Sequence, residues 1–95
     1  MNTYFVYILK CSDDSFYIGV TNNLEIRLSQ HESGLDIYAF TYNKRPLVLV
    51  YQESYSDINQ AILREKQLKG WSRKKKEALI DGDLELLKVL SKNNQ

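Results

Sequence analysis

The 95-residue sequence is poor in cysteine, proline and glycine, with one, one and four of them. A single cysteine, Cys11, cannot form an internal disulfide, so nothing in the sequence requires an oxidising compartment. So few prolines and glycines exclude collagen-like and linker-dominated chains. The longest apolar runs, residues 4–9 and 46–51, reach about a third of the length that a membrane helix needs. The first residues lack the basic-then-apolar pattern of a secretion signal, and we therefore expect a cytoplasmic protein.

The composition is typical of a small globular protein. Hydrophobic residues make up 43% and charged residues 26%, a balance that excludes a disordered chain. The length predicts a single domain over residues 1–95. The net charge is only +1, but residues 64–76 contain seven basic side chains and one acidic side chain. Such a run indicates a polyanionic partner, although a solvated helix face explains it equally well.

Apolar, turn and capping residues together predict the order ββα–β–αα(α). Residues 4–9 and 16–20 are β-branched and aromatic and flank a turn, which predicts a hairpin, and residues 46–51 predict a third strand. Helices are expected over residues 24–32, 58–69, 73–80 and 84–90, with N-caps at Asn22, at Ser56-Asp57 and at Ser72, and stops at Gly34 and Gly70. Residues 35–45 are expected to form a loop. This order implies an α+β fold in which helices pack on a small, mostly antiparallel three-stranded sheet.

The first predicted helix places two polar residues beside its apolar side. At about 100° per residue, Leu24 and Leu28 define a stripe, His31 falls about 20° from Leu24, and Arg27 lies at the edge. An arginine whose stem covers apolar surface and a histidine bonded to a backbone carbonyl would explain both residues structurally. A shared site toward which both side chains point is the functional alternative.

The second predicted helix contains a sharper anomaly, Glu65, near the centre of its apolar stripe. A buried carboxylate without a partner is costly, so a cation, a metal or a hydrogen-bond network must accompany it. A salt bridge to Arg27, Arg64 or a lysine is the structural explanation. We favour ligand binding or catalysis, because functional sites are where sequences depart from local rules. The stripe is formed by Ile58, Ala61, Ile62 and Leu68.

Five residues in order and at characteristic spacing resemble the GIY-YIG nuclease domain. Val6-Tyr7-Ile8 is followed nine residues later by Tyr17-Ile18-Gly19. Arg27 and His31 follow on the next helix, and Glu65 on a later one. Val6 stands where the first motif of the family has a glycine. The resemblance covers about residues 4–82, and residues 61–80 are most similar to small stand-alone bacterial members.

The resemblance implies an endonuclease that hydrolyses phosphodiester bonds in DNA with one Mg²⁺ or Mn²⁺, with structure-selective or weakly sequence-selective cutting and a part in DNA repair or recombination. Tyr7 and Tyr17 would be active-site tyrosines, one of which assists deprotonation of the attacking water. Arg27 would contact the scissile phosphate, and His31 would hydrogen-bond near the nucleophile. Glu65 would bind the metal. DNA is the expected partner, with RNA as the open alternative.

Beside Arg27, the basic run adds predicted contacts to the nucleic-acid backbone from Lys69, Arg73, Lys74, Lys75 and Lys76. Many family members also have an asparagine somewhat more than a dozen residues after the glutamate. Residues 76–84, the matching stretch here, contain none, and Asp81 and Asp83 are their only short polar side chains. Two alternatives therefore stay open: a nucleic-acid-binding module without efficient cleavage, and a subunit whose basic helix docks on a protein.

Overall fold

The computed structural model describes residues 2–34 and 41–93. The strands are β1 (Tyr4–Lys10), β2 (Phe16–Thr21) and β3 (Val48–Tyr55). The helices are α1 (Leu24–Ser33), α2 (Ile58–Lys69), α3 (Arg73–Asp81) and α4 (Leu84–Asn93), and a 3-10 turn spans Tyr42–Lys44. The predicted α+β order is confirmed, although residues 35–40 of the predicted loop lie outside the described residues. Within these two ranges, no helix has the length and apolar character to cross a membrane.

The sheet has the order β2-β1-β3, and β1 pairs antiparallel with both neighbours. Val6 and Ile8 of β1 pack with Ala61 and Leu68 of α2, so α2 covers one face of the sheet. Because side chains alternate along a strand, Tyr7 lies on the opposite face. The central strand therefore has a helix-packed core on one side and Tyr7 on the other.

The N-cap of α1 is Asn23, whose side-chain oxygen accepts a hydrogen bond from the Ile26 N–H at 3.0 Å. The predicted cap at Asn22 is therefore wrong by one residue. The Thr21 hydroxyl accepts a hydrogen bond from the Asn23 N–H at 3.1 Å and so fixes the residue at which the helix begins. Asp57 and Ser72 cap α2 and α3 as predicted.

Strand β3 departs most from the sequence-based expectation, because it begins at Val48 and continues to Tyr55 rather than spanning residues 46–51. Tyr4 at the start of β1 pairs with Tyr55 and so extends the ladder. The polar residues beyond the predicted strand, Gln52, Glu53 and Ser54, belong to β3, which lies at the edge of the sheet, where solvent or hydrogen bonds accommodate them. Ile58, predicted as a core residue, is 37% exposed because it begins α2, just after the chain leaves the sheet.

Candidate active site

Tyr7 lies at the centre of the candidate site. It is fully buried and stands directly opposite Gly19 of β2. A methyl group at Gly19 would lie 2.5 Å from the Tyr7 hydroxyl oxygen and 2.6 Å from its ring carbon Cζ. Only glycine leaves room for the phenol at this position. The tyrosine of the first motif therefore depends on the glycine of the second.

Helix α1 brings His31 against Tyr7. The Nε2 atom of His31 lies 3.0 Å from the Tyr7 hydroxyl oxygen, and its Nδ1 atom lies 2.8 Å from Oγ1 of Thr41. His31 is 8% exposed and Thr41 is 1% exposed. Both imidazole nitrogens thus have side-chain partners, rather than the backbone carbonyl of the structural explanation.

Tyr17 and Arg27 complete this group. The Tyr17 ring centroid lies 5.0 Å from that of His31 and 6.2 Å from that of Tyr7. Arg27 is exposed on α1, one turn before His31, and its guanidinium interacts with the Tyr7 hydroxyl. We call these four residues the tyrosine–histidine cluster. The fold brings together four of the five predicted catalytic residues.

The protonation states in the cluster follow from burial and charge. Burial raises the pKa of Tyr7 to about 12, although Arg27 acts in the opposite direction. Burial also lowers the pKa of His31, and the positive charge of Arg27 lowers it further. The Tyr7 hydroxyl raises the pKa of Arg27. At neutral pH, therefore, Tyr7 is a neutral phenol, the imidazole of His31 is mainly neutral and the guanidinium of Arg27 is charged.

Glu65 lies on the sheet-facing stripe of α2, between Ala61 and Leu68. Its side chain is 20% exposed, and its Oε2 atom lies 3.4 Å from Nζ of Lys69, whose side chain is 55% exposed. Across residues 2–34 and 41–93, the described hydrogen bonds and ion pairs join Glu65 to Lys69 and not to the tyrosine–histidine cluster. The partner is a surface lysine one turn away, so a salt bridge of the kind that the structural explanation named is present.

Glu65 is the residue to test for a metal. No group of three or more His, Cys, Asp or Glu side chains comes together in the described part of the chain, so a closed site of protein ligands is not found there. A partly buried carboxylate with only Oε2 in an ion pair suits a hard cation such as Mg²⁺, which prefers oxygen ligands and keeps several waters. The residues present therefore fit a single hydrated divalent ion.

The structure divides the basic run into two sets. The first set has intramolecular partners: Arg64 pairs with Glu53, Lys69 with Glu65, Arg73 with Glu77, and Lys75 lies over the Trp71 ring. Lys75 is only 8% exposed, with its Nζ atom 4.4 Å from the Trp71 centroid, so it differs from the exposed phosphate contact that we predicted. Lys66, Lys74 and Lys76 form the second set, which has no ion pair with a described residue.

The sequence analysis missed a second polar group, which we call the Glu53 cluster. The Glu53 carboxylate accepts hydrogen bonds from the Tyr51 hydroxyl at 2.5 Å, the Tyr55 hydroxyl at 2.6 Å and Arg64 Nε at 2.7 Å. The guanidinium of Arg64 also lies 5.2 Å from the Trp71 ring. The cluster ties β3 to α2 and to the connection between α2 and α3. Alternation of tyrosine, glutamate and tyrosine along one strand face could have revealed it, had the predicted strand extended beyond residue 51.

Thr41 was also missed, and no sequence pattern singles it out. It lies in the predicted loop, where a threonine is usually a solvated residue. Its burial and its contact with His31 arise only when this segment folds back on α1.

Comparisons with known proteins agree with this fold. A UPF0213 protein of Staphylococcus haemolyticus is 42% identical over 81 residues, which cover 85% of this chain and 98% of that protein. The solution NMR structure of a UPF0213 protein from Bacillus halodurans is 34% identical, with a TM-score of 0.55 over 83% of both chains. The solution NMR structure of a protein from E. faecalis is 31% identical, with a TM-score of 0.61 over 86% of both chains.

The family model of the GIY-YIG catalytic domain matches residues 3–78. That range includes both motif strands, the helix that holds Arg27 and His31, and the helix that holds Glu65. The chain therefore belongs to the GIY-YIG family of endonuclease domains.

Proposed function

We propose that the chain is a metal-dependent endonuclease that hydrolyses phosphodiester bonds in DNA, with structure-selective or weakly sequence-selective cutting. The observation that carries this proposal is the hydrogen bond between buried Tyr7 and the neutral imidazole of His31, beside the exposed guanidinium of Arg27. Hydrolysis requires that a water lose its proton and that charge on the phosphate be offset. The tyrosine–histidine cluster offers groups for both tasks.

Tyr7 and His31 would act together on the attacking water. With a pKa of about 12, Tyr7 is protonated at neutral pH, so it accepts a proton only while it passes its own to another group. The neutral Nε2 atom of His31, 3.0 Å away, is that group. The water proton moves to the Tyr7 oxygen, the Tyr7 proton moves to Nε2, and no phenolate has to persist.

Two further residues, Arg27 and Glu65, would offset the charge of the phosphate. Tyr17 would help to keep the site in its geometry. The planar guanidinium of Arg27 matches two phosphate oxygens. Tyr17 packs against His31 and helps to hold the imidazole in place. Glu65 would hold the divalent ion, Mg²⁺ or Mn²⁺, which when bound supplies positive charge beside the phosphate.

The Arg27→Lys variant tests this assignment, because it keeps the charge and removes the planar fork. We expect cleavage to fall on the order of 10²-fold with DNA affinity near that of the wild type. Purified proteins would be assayed on branched, nicked and single-stranded DNA, with and without Mg²⁺. Equal losses of binding and cleavage would make Arg27 a ground-state clamp, and a wild type that cuts no substrate would contradict the proposed function.

Helix α3 supports contact with an anionic backbone. Its first turn contains Arg73, Lys74, Lys75 and Lys76 and no acidic residue. Cations at the positive end of a helix dipole cost stability, so this arrangement favours an external anion as partner. Lys74 and Lys76, which have no described ion pair, are the residues that we propose for it, together with Arg27. Lys69 and Arg73 could join them only by exchanging their carboxylate partners.

The double variant Lys74→Gln/Lys76→Gln should weaken DNA binding whatever the sequence, and lower the slope of log affinity against log salt by up to about two. The free energy of unfolding should rise slightly, because two charges leave the unfavourable end of the dipole. The double variant Lys88→Gln/Lys92→Gln on α4 is the control, since it removes the same charge elsewhere. Equal slopes for the two variants would identify the α3 lysines as a solvated face.

A nucleic-acid-binding module without efficient cleavage is the second candidate. The observation that favours it is the role of Asp83, in the stretch where many family members have an asparagine. Its carboxylate accepts a hydrogen bond from the Leu86 N–H at 3.1 Å and so caps α4. Salt-dependent DNA binding without Mg²⁺-dependent cutting, on the same panel of substrates, would establish this second function.

A further inference from the structure

We propose that Thr41 is a positioning residue: its hydroxyl holds His31 so that Nδ1 keeps its proton and bare Nε2 faces the Tyr7 hydroxyl. The expected effect on cleavage rests on the proposed function. The expected effect on the tautomer and the pKa of His31 does not rest on it, because both can be measured without any nucleic acid.

The geometry around Thr41 fits such a role. Its side chain is buried at 1% exposure, and its Oγ1 atom lies 2.8 Å from Nδ1 of His31. The backbone is held as well, because the Lys44 N–H donates to the Thr41 carbonyl at 3.0 Å. The Ser12 N–H in turn donates to the Lys44 carbonyl at 2.9 Å. Thr41 is thereby anchored to the connection between β1 and β2, the two strands that hold Tyr7 and Tyr17.

The partners of Tyr7 indicate which imidazole nitrogen is protonated. Arg27 offers only donors, so it can donate to the Tyr7 oxygen but cannot accept the Tyr7 proton. Tyr17 also hydrogen-bonds Tyr7, but Nε2 of His31, 3.0 Å from the hydroxyl oxygen, is the far more basic acceptor, since an imidazole nitrogen binds a proton near neutral pH and a phenol oxygen does not. A neutral imidazole has one donor and one acceptor nitrogen. If Nε2 accepts from Tyr7, then Nδ1 donates to Oγ1 of Thr41.

A threonine hydroxyl suits both states of the histidine. When His31 is neutral, Oγ1 of Thr41 accepts the Nδ1–H, and it continues to accept that bond when His31 takes a second proton on Nε2. Valine has nearly the same shape and no acceptor, so it would leave a buried N–H without a partner. The charged groups that act on His31, Arg27 lowering its pKa and Glu32 raising it, are unchanged by this substitution.

Nitrogen NMR of the imidazole tests the proposal directly, because His31 is the only histidine of the chain. We would record ¹⁵N spectra of the wild type, Thr41→Val and Thr41→Ser across pH. The wild type should be protonated at Nδ1 when neutral. Thr41→Val should show a mixture of tautomers and a His31 pKa lower than that of the wild type, while Thr41→Ser should restore the wild-type signals.

The pH dependence of cleavage adds a readout that a merely structural role would not move. We expect Thr41→Val to lower the plateau rate about 10- to 100-fold, the scale seen for partners that orient a functional histidine. The acid limb of its pH–rate profile should also move to lower pH, with partial recovery in Thr41→Ser.

Three results would overturn the proposal or separate it from the proposed function. A wild-type imidazole protonated at Nε2 would overturn it without any variant, even if Thr41→Val fails to fold. A Thr41→Val protein with unchanged ¹⁵N signals and an unchanged acid limb would also overturn it. If the tautomer changes as expected but the wild type cuts no DNA, the positioning role stands and the nuclease function fails.

Discussion

Glu65→Gln is expected to lower cleavage by about 10³-fold or more, while the free energy of unfolding changes by less than about 1 kcal/mol. Glutamine keeps the volume and one acceptor oxygen but removes the charge that would hold Mg²⁺. The only described ion pair of Glu65 is with Lys69, one turn away and half exposed. Such pairs contribute about 0.3–0.5 kcal/mol, so little stability depends on it.

Thermal unfolding without metal and a nicking assay with Mg²⁺ measure the two effects separately. Glu77→Gln is a matched control, because it breaks the equivalent pair with Arg73 on α3 and touches no proposed catalytic residue. Both variants should unfold near the wild-type temperature, and only Glu65→Gln should lose cleavage. A strongly destabilised Glu65→Gln protein would identify a structural carboxylate, and unchanged cleavage would end any catalytic role for it.

Glu53→Gln should lower the free energy of unfolding by about 2–3 kcal/mol. The carboxylate accepts hydrogen bonds from Tyr51, Tyr55 and Arg64. An amide at this position turns one acceptor into a donor and leaves the Arg64 guanidinium without its counter-charge. Urea unfolding followed by the fluorescence of Trp71, the single tryptophan, measures the loss, and Glu77→Gln again serves as the control. A loss equal to that of the control would show that the Glu53 cluster is no stronger than a surface pair.

The same cluster predicts how stability depends on pH. Burial acts to raise the pKa of Glu53, but its three hydrogen-bond donors outweigh burial and lower it. Its contribution to stability is therefore present above the unfolded-state pKa of about 4.3 and is lost as pH falls through the lower folded-state value. Burial and the hydrogen bond to Glu53 raise the pKa of Tyr51 to about 12, so its contribution is complete below about pH 10 and is lost toward pH 12. The difference between wild type and Glu53→Gln should be largest between about pH 5 and 10.

The features that can be predicted from the sequence are those determined by residues close together along the chain. Residues 4–9 predict a buried strand because β-branched and aromatic side chains follow one another, and Gly34 predicts the end of α1 because a left-handed residue is needed there. Arg27 and His31 stand out because helical spacing alone sets them beside an apolar stripe. In each case the decisive neighbours lie within a few residues along the chain.

The features that escaped prediction depend on partners brought together by tertiary folding. Thr41 becomes a buried partner only because its segment meets α1, ten residues away along the chain. Glu53 is tolerated in β3 because Arg64, eleven residues later, neutralises it. Lys75 belongs to a run of cations but packs its ammonium on Trp71. Counting charges along the sequence cannot separate such a lysine from its exposed neighbours.

Because Tyr7 approaches Gly19 so closely, the glycines of the first and second family motifs should differ in how readily they can be substituted. The second, Gly19, lies beneath the phenol, so a larger residue can be accepted there only after the tyrosine has been lost. The first is replaced here by Val6, whose side chain points into the core on the opposite face, and that replacement leaves the space around the phenol intact. Among related sequences, Gly19 and Tyr7 should therefore be lost together, whereas the position of Val6 should change independently of both.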